Sequence, residues 1–175
     1  MKNALLVIDM QNCYLNNEIF ACYNIQDVIN YIKLKEKEFD SKDIYFTKFI
    51  APSNPKGEWI KYNREYKMVN DSKYLNDYID KIKKYINDNN SYIKNTYSIL
   101  GNQELMNKLD EYDNIYITGV VADCCILSSI YDLIDRGKKV IYCKKGIGAL
   151  NEESGKAVEL VLSSLSPLHV EFIDN

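Results

Sequence analysis

The segment Ile115-Tyr116-Ile117-Thr118-Gly119-Val120-Val121-Ala122-Asp123-Cys124-Cys125 decides how this chain is read. Ile115 to Thr118 is a short apolar run of strand character, and Gly119 supplies a turn. Ile126, Leu127, Ile130, Leu133 and Ile134 then recur at helical spacing until Gly137 ends the run. A strand that passes through a tight turn into an amphipathic helix is the building unit of a parallel α/β sheet.

The same alternation extends in both directions. Ala4 to Ile8 is a continuous apolar run suited to the middle of a buried parallel sheet. Asn24 is placed to cap a helix carrying Ile25, Val28, Ile29 and Ile32. Ile44 to Phe49 reads as a second strand, followed by a loop marked by Pro52, Pro55 and Gly57. Leu75, Tyr78, Ile79, Ile82, Tyr85 and Ile86 form a helical stripe that Asp88-Asn89-Asn90 ends. Further strands are expected at Tyr92–Lys94, Val140–Cys143 and His169–Phe172, and helices at Asn102–Leu109 and through Val158, Val161, Leu162 and Leu165. The expectation is an α/β fold: a doubly wound, mainly parallel six-stranded sheet with helices on both faces, forming one domain over residues 1–175.

Composition narrows the function. The 22 Lys+Arg and 25 Asp+Glu leave a net charge of −3 with the signs interspersed, so no basic stripe offers a nucleic-acid footprint. No apolar run approaches a membrane span, and Met1-Lys2-Asn3 leads directly into the first apolar segment with no room for a leader. Five cysteines, odd in number and without CxxC spacing, argue against a disulfide framework or zinc ribbon and point to a reduced, cytoplasmic setting. The single histidine, His169, leaves too few imidazoles for a common hydrolytic metal site, and it reads as structural or solvent-facing.

Three strand ends deliver reactive groups: Asp9 after Leu5-Leu6-Val7-Ile8, Lys94 after Tyr92-Ile93, and Cys125 after the Gly119 turn. Ligands of parallel sheets bind at the carboxyl ends of strands, so these groups can share one site. Asp9 also fits a turn-capping role, and Lys94 is one of many lysines. Cys125 reads either as a small buried apolar residue or as a nucleophile. A helix amino terminus and a nearby ammonium both favour a thiolate, and free N–H groups there can hold an oxyanion.

The three segments together, Leu-Leu-Val-Ile-Asp-Met-Gln, then Lys94 followed by Tyr97-Ser98, then Thr-Gly-Val-Val-Ala-Asp-Cys-Cys, resemble the isochorismatase-like cysteine hydrolases across nearly the whole chain. The resemblance implies Rossmann-type layering, a triad of Asp9, Lys94 and Cys125, and a cis peptide at Val120–Val121. It further implies an oxyanion hole from the backbone N–H groups of Val121 and Cys125. Asp9 would move protons, Lys94 would favour the thiolate, and Cys125 would attack an amide-like carbonyl to give a thioester. Gln11, Trp59, Tyr62 and Tyr97 are the candidate substrate-binding residues; the aromatic ones suit a small planar or apolar molecule. No cofactor is implied, and relatives commonly form homodimers or homotetramers.

The departures from that pattern are as informative. Cys124 competes with Cys125, but the family spacing favours the second thiol. Cys13 stands where many relatives carry Asp, and structural filling suits it best. Nicotinamidases of this superfamily hold a metal through an Asp-x-His segment; here the chain reads Phe46-Thr47-Lys48-Phe49-Ile50-Ala51-Pro52, so no metal site is expected. Asp9-Met10-Gln11 also lacks the second carboxylate of an Asp-x-Asp phosphatase. The rival to a hydrolase of small amides or N-carbamoyl compounds is a non-catalytic or redox-sensing protein that binds a small ligand or partner in the same pocket.

Overall fold

Strand β1 (Asn3–Ile8) is buried from Ala4 onward. Side chains alternate across a strand, so Ala4, Leu6 and Ile8 join one apolar cluster while Leu5 and Val7 join another. A strand apolar on both sides needs cover on both faces and neighbours on both edges. It has them. The structure, a computed structural model describing residues 1–174, holds a six-stranded sheet of order β3-β2-β1-β4-β5-β6 in which every neighbouring pair is parallel. The other strands are β2 (Ile44–Phe49), β3 (Ser91–Lys94), β4 (Asn114–Gly119), β5 (Lys139–Ile147) and β6 (Val170–Ile173).

The helices are α1 (Ile25–Lys35), α2 (Glu58–Glu65), α3 (Lys67–Asn70), α4 (Lys73–Asn76), α5 (Asp80–Lys83), α6 (Gln103–Leu109), α7 (Leu127–Asp135) and α8 (Glu152–Ser163). Helices α1 and α5 cover the Leu5/Val7 face through Val28, Ile29, Ile32 and Ile82. Helices α6, α7 and α8 cover the Leu6/Ile8 face through Leu105, Ile130, Leu133, Val158 and Leu162. None of the described helices is long and apolar enough to cross a membrane.

Two local expectations give way. The stripe from Leu75 to Ile86 is not one helix. Asp77 is extended, Tyr78 forms an antiparallel bridge with Gln11, and the Ile79 N–H donates to Met10 O at 2.9 Å. Leu75, Tyr78, Ile79 and Ile82 stay buried and Tyr85 and Ile86 half-buried, but α4 and α5 are separated so that this segment can brace the turn after β1. Asn24 precedes α1 without capping it by its side chain. Its amide instead donates to Ile147 O at 2.9 Å and accepts from the Ala149 N–H at 3.3 Å, tying α1 to the end of β5.

The sheet order reverses at β1: one crossover leads to β2 on one side, and the chain later returns as β4 on the other. In doubly wound sheets a crevice opens at that switch point, beyond the strands' carboxyl ends. Gly119 makes the close approach possible. It has φ +109°, and a Cβ there would sit 2.1 Å from Ile8 O. Only glycine permits both. Beyond it, the Val120–Val121 peptide is cis.

Candidate active site

Asp9 is the first residue past β1, fully buried, with φ +51°. That left-handed conformation is uncommon outside glycine, although Asp tolerates it better than most. Thr47 of β2 fixes the side chain: its hydroxyl donates to Asp9 Oδ1 at 2.7 Å and accepts from the Asp9 N–H at 3.2 Å. Thr47 was not apparent in the sequence as a site residue. Its only signal is a small hydroxyl within a strand of mostly large apolar and aromatic residues.

Lys94 ends β3, two strands away from β1 and opposite Phe49 of β2. Strands lie ~4.8 Å apart, so only a long side chain can bridge that gap to Asp9. The Lys94 ammonium reaches Asp9 Oδ2 at 2.6 Å, with both side chains fully buried, and passes 5.3 Å from the centre of the Phe49 ring. Its three protons are all used. Two go to the carbonyls of Thr96 at 3.0 Å and Tyr97 at 2.8 Å, and the third side faces Asp9 and Cys125 Sγ, the latter at 3.4 Å.

Cys125 lies in a single π-helical turn, Ala122–Ile126, that leads into α7. Such turns recur at functional sites because they shift a side chain off the regular helical register. Within it the Ile126 N–H donates to Val121 O at 3.1 Å, and Ser129 Oγ donates to Cys125 O at 2.6 Å. Ser129 also accepts the Ile99 N–H at 3.2 Å, joining the thiol's turn to the loop that holds Lys94. The Val121 N–H, by contrast, donates to no backbone carbonyl among the described residues.

The electrostatics favour a neutral thiol at rest. Burial pushes the Cys125 thiol well above its ordinary value, the Asp9 carboxylate raises it further, and Lys94 offsets only part of this. The Lys94 ammonium is pulled down by burial, but Asp9 and Cys125 outweigh that and hold it above its ordinary value. Lys94 favours the thiolate, but burial and the Asp9 charge together outweigh it. Asp9 Oδ2 accepts no well-directed hydrogen bond among the described residues, despite its close ion pair.

Above this trio lies a cleft of about 210 Å³ lined by Tyr14, Phe20, Phe49, Tyr62, Tyr66, Tyr97, Val121, Cys124, Cys125 and Leu150. Tyr62, on α2, and Tyr97 border it as the sequence led us to expect. Trp59 stands behind them, 5.0 Å from the Tyr62 ring and 5.2 Å from that of Tyr97, and supports the wall without lining it. Gln11 is elsewhere. Its amide donates to Phe49 O and Asn76 O, both at 3.0 Å, and accepts the Phe49 N–H at 2.8 Å. With those bonds made and the residue buried, Gln11 clamps the β1 turn to β2 and is not positioned to touch a ligand. Tyr14, Phe20 and Tyr66 are lining residues that the sequence reading missed, because they lie in turns and short helices without periodic pattern.

Cys124 also borders the cleft, half-buried, but Lys94 bonds to Cys125. Asp123 and His169 are exposed. A larger groove of about 570 Å³ runs between α1 and the end of β5, yet Tyr31, Asn30 and Lys145 there offer no nucleophile joined to a base. Chemistry, not size, selects the aromatic cleft.

The match of an isochorismatase domain model to residues 3–167 decides the family. The chain belongs to the isochorismatase family. No curated protein matches it in sequence. This isochorismatase-family chain is similar in fold to the nicotinamidase of Bacillus subtilis at 17% identity, with 99% of this chain and 100% of that one covered and a TM-score of 0.77. It is similar to an isochorismatase-like hydrolase from Alkaliphilus metalliredigens at 21% identity, covering 98% and 92%, with a TM-score of 0.72. A Pyrococcus horikoshii pyrazinamidase in complex with zinc covers 100% of both chains at 18% identity and a TM-score of 0.77.

The zinc of that last protein finds no counterpart set here. Among the described residues no three His, Cys, Asp or Glu side chains are grouped to hold a metal ion. Near the end of β2 the chain places a cation of its own: Lys48 lies 3.6 Å from Asp77 and 4.6 Å from the centre of the Tyr78 ring. The described residues do not fit a metal.

Proposed function

We propose that this chain is a cysteine-dependent amidohydrolase of the isochorismatase family, acting on a small amide or N-carbamoyl compound. The observation that carries the reading is the Lys94 ammonium in contact with both Asp9 Oδ2 at 2.6 Å and Cys125 Sγ at 3.4 Å, on the floor of an aromatic cleft. Moving the thiol proton to Asp9 replaces one anion with another beside the same cation. The site then holds one negative and one positive charge before and after the transfer. In a buried setting, where an unpaired charge is costly, that exchange keeps the barrier low.

The thiol stays protonated until substrate arrives, and Asp9 acts as general base as Sγ attacks the carbonyl carbon. The oxyanion is held by the N–H groups of Val121 and Cys125. Asp9 returns the proton to the departing nitrogen, leaving a thioester on Cys125. It then takes a proton from water, whose oxygen displaces the thiol and releases the acid. The cleft lining contains no Arg, Lys, His, Asp or Glu, so a neutral substrate suits it better than a carboxylate. A neutral resting thiol also disfavours the redox-sensing alternative, because oxidation follows thiolate character.

The test is turnover of a panel of primary amides, N-carbamoyl compounds and ureido acids, read as ammonia release. Activity that vanishes in Cys125→Ala supports the scheme. Activity that survives this substitution, or no turnover of any class, refutes it.

A further inference from the structure

One polar group in the cleft has no role in that scheme. Tyr14 sits in the tight turn Asn12–Tyr14, five residues past Asp9, and is 7% exposed. Its backbone is held at both ends: the N–H donates to Gln11 O at 3.2 Å, and the carbonyl accepts the Cys22 N–H at 3.0 Å. Its ring packs on Phe20 at 6.2 Å between centres. The hydroxyl itself has no hydrogen-bond partner among the described residues.

Several other buried tyrosines are hydrogen-bonded within the fold. Tyr45 and Tyr112 share a hydrogen bond of 2.9 Å, Tyr112 reaches Asp43 at 2.7 Å, and Tyr78 reaches Ser91 at 2.9 Å. Asp9 Oδ2 and Asn63 Oδ1 are the buried side-chain atoms without a partner among the described residues, so the Tyr14 hydroxyl is not sealed off and can meet a ligand in the cleft that Tyr14 lines. The Tyr14 hydroxyl borders the cleft and lies within electrostatic reach of Cys125 and Asp9. Burial first, then the neighbouring Cys13, Cys125 and Asp9, hold it well above its ordinary value. It is therefore a neutral hydroxyl, able to donate and to accept, wherever the protein works.

We propose that the Tyr14 hydroxyl is the specificity determinant of the cleft, accepting a hydrogen bond from the carboxamide N–H of the bound substrate. The carbonyl oxygen is provided for by backbone N–H groups, and Asp9 stands ready for the thiol's proton. An amide nitrogen brings N–H groups that need an acceptor, and the hydroxyl of Tyr14, which lines the cleft and takes no part in the proton transfer, can serve as one. The assignment of the scissile carbon rests on the hydrolase reading; the hydrogen bond itself does not.

Two flat probes separate the cases: benzamide, which carries amide N–H groups, and acetophenone, which has the same ring and carbonyl without them. Each is titrated as a protectant of Cys125 against methyl methanethiosulfonate, with labelling followed by mass spectrometry, in the unmodified protein and in Tyr14→Phe. Since the hydroxyl has no partner in the fold, the variant keeps its thermal midpoint. Benzamide protects Cys125, and the variant raises the concentration needed about five- to tenfold, the usual worth of one net hydrogen bond. Acetophenone protection stays unchanged. Equal loss for both probes, no loss for either, or no protection by benzamide overturns the proposal. Benzamide protection lost in the variant, with no turnover of any panel compound, keeps the Tyr14 assignment and refutes the hydrolase reading instead.

Discussion

This chain buries two lysines beside two cysteines, and only one pair makes a site. Lys35, at the end of α1, is 5% exposed and lies 2.8 Å from Glu38 and 5.2 Å from the centre of the Tyr116 ring. It is close enough to Cys143 to draw that thiol down, yet burial dominates and the thiol is pushed up to about 11. Lys94 likewise draws on Cys125 against burial. What differs is the acid and the access. Glu38 is 58% exposed on its side chain and binds Lys35 from the solvent side, whereas Asp9 is fully buried and pairs with the same ammonium that reaches the thiol. Cys143 is fully enclosed in β5; Cys125 opens on a cleft. A buried lysine next to a buried thiol is thus ordinary packing until a shared carboxylate and an entrance are added.

Substitutions that treat the two pairs alike should show how unlike they are. The largest effect falls on the thiols. Cys125→Ala removes turnover of any active amide by roughly a thousandfold or more, while Cys143→Ala keeps it. Comparable losses from both would dissolve the distinction. Next come the lysines, compared by thermal or denaturant unfolding. Lys94→Met leaves Asp9 buried and unpaired, costing about 3–5 kcal/mol, whereas Lys35→Met frees a carboxylate that already meets water and costs about 1 kcal/mol or less. Thr47→Val removes both hydroxyl hydrogen bonds with Asp9 and lowers activity about tenfold, with a fold cost of about 1–3 kcal/mol. The smallest and most diagnostic difference is in pH. Because the Cys125 thiol is raised, its alkylation by iodoacetamide in the free protein is slow near neutrality and climbs without a plateau below about pH 9. A plateau near pH 6 would mean that a thiolate is present at rest.

Asp9 and Cys125 were legible from sequence because each follows an apolar run at the same end of a parallel sheet, where a polar residue has little structural reason to sit. Lys94 was less so, since nothing in Tyr92-Ile93-Lys94 tells how far its side chain reaches across β2. The helix foreseen over Leu75–Ile86 failed because periodicity records which residues are buried, not whether the backbone between them is paired elsewhere. Here Tyr78 pairs with Gln11, and the helix breaks. Gln11 was assigned to ligand and serves the backbone for the same reason: its partners, Phe49 and Asn76, lie far off in sequence. Tyr14 escaped notice because a hydroxyl without a partner is visible only once every other hydroxyl has been placed.

The central claim is that Asp9 and Cys125 share one proton under Lys94. It is tested most directly by 4-nitrophenyl acetate, an activated acyl donor that needs no knowledge of the natural substrate. The unmodified protein, quenched after brief exposure at neutral pH, should carry acetyl on Cys125 and not on Cys124, and Asp9→Asn should lose that label. Acetyl on Cys124, or equal labelling of Cys125 without the Asp9 carboxylate, would contradict it.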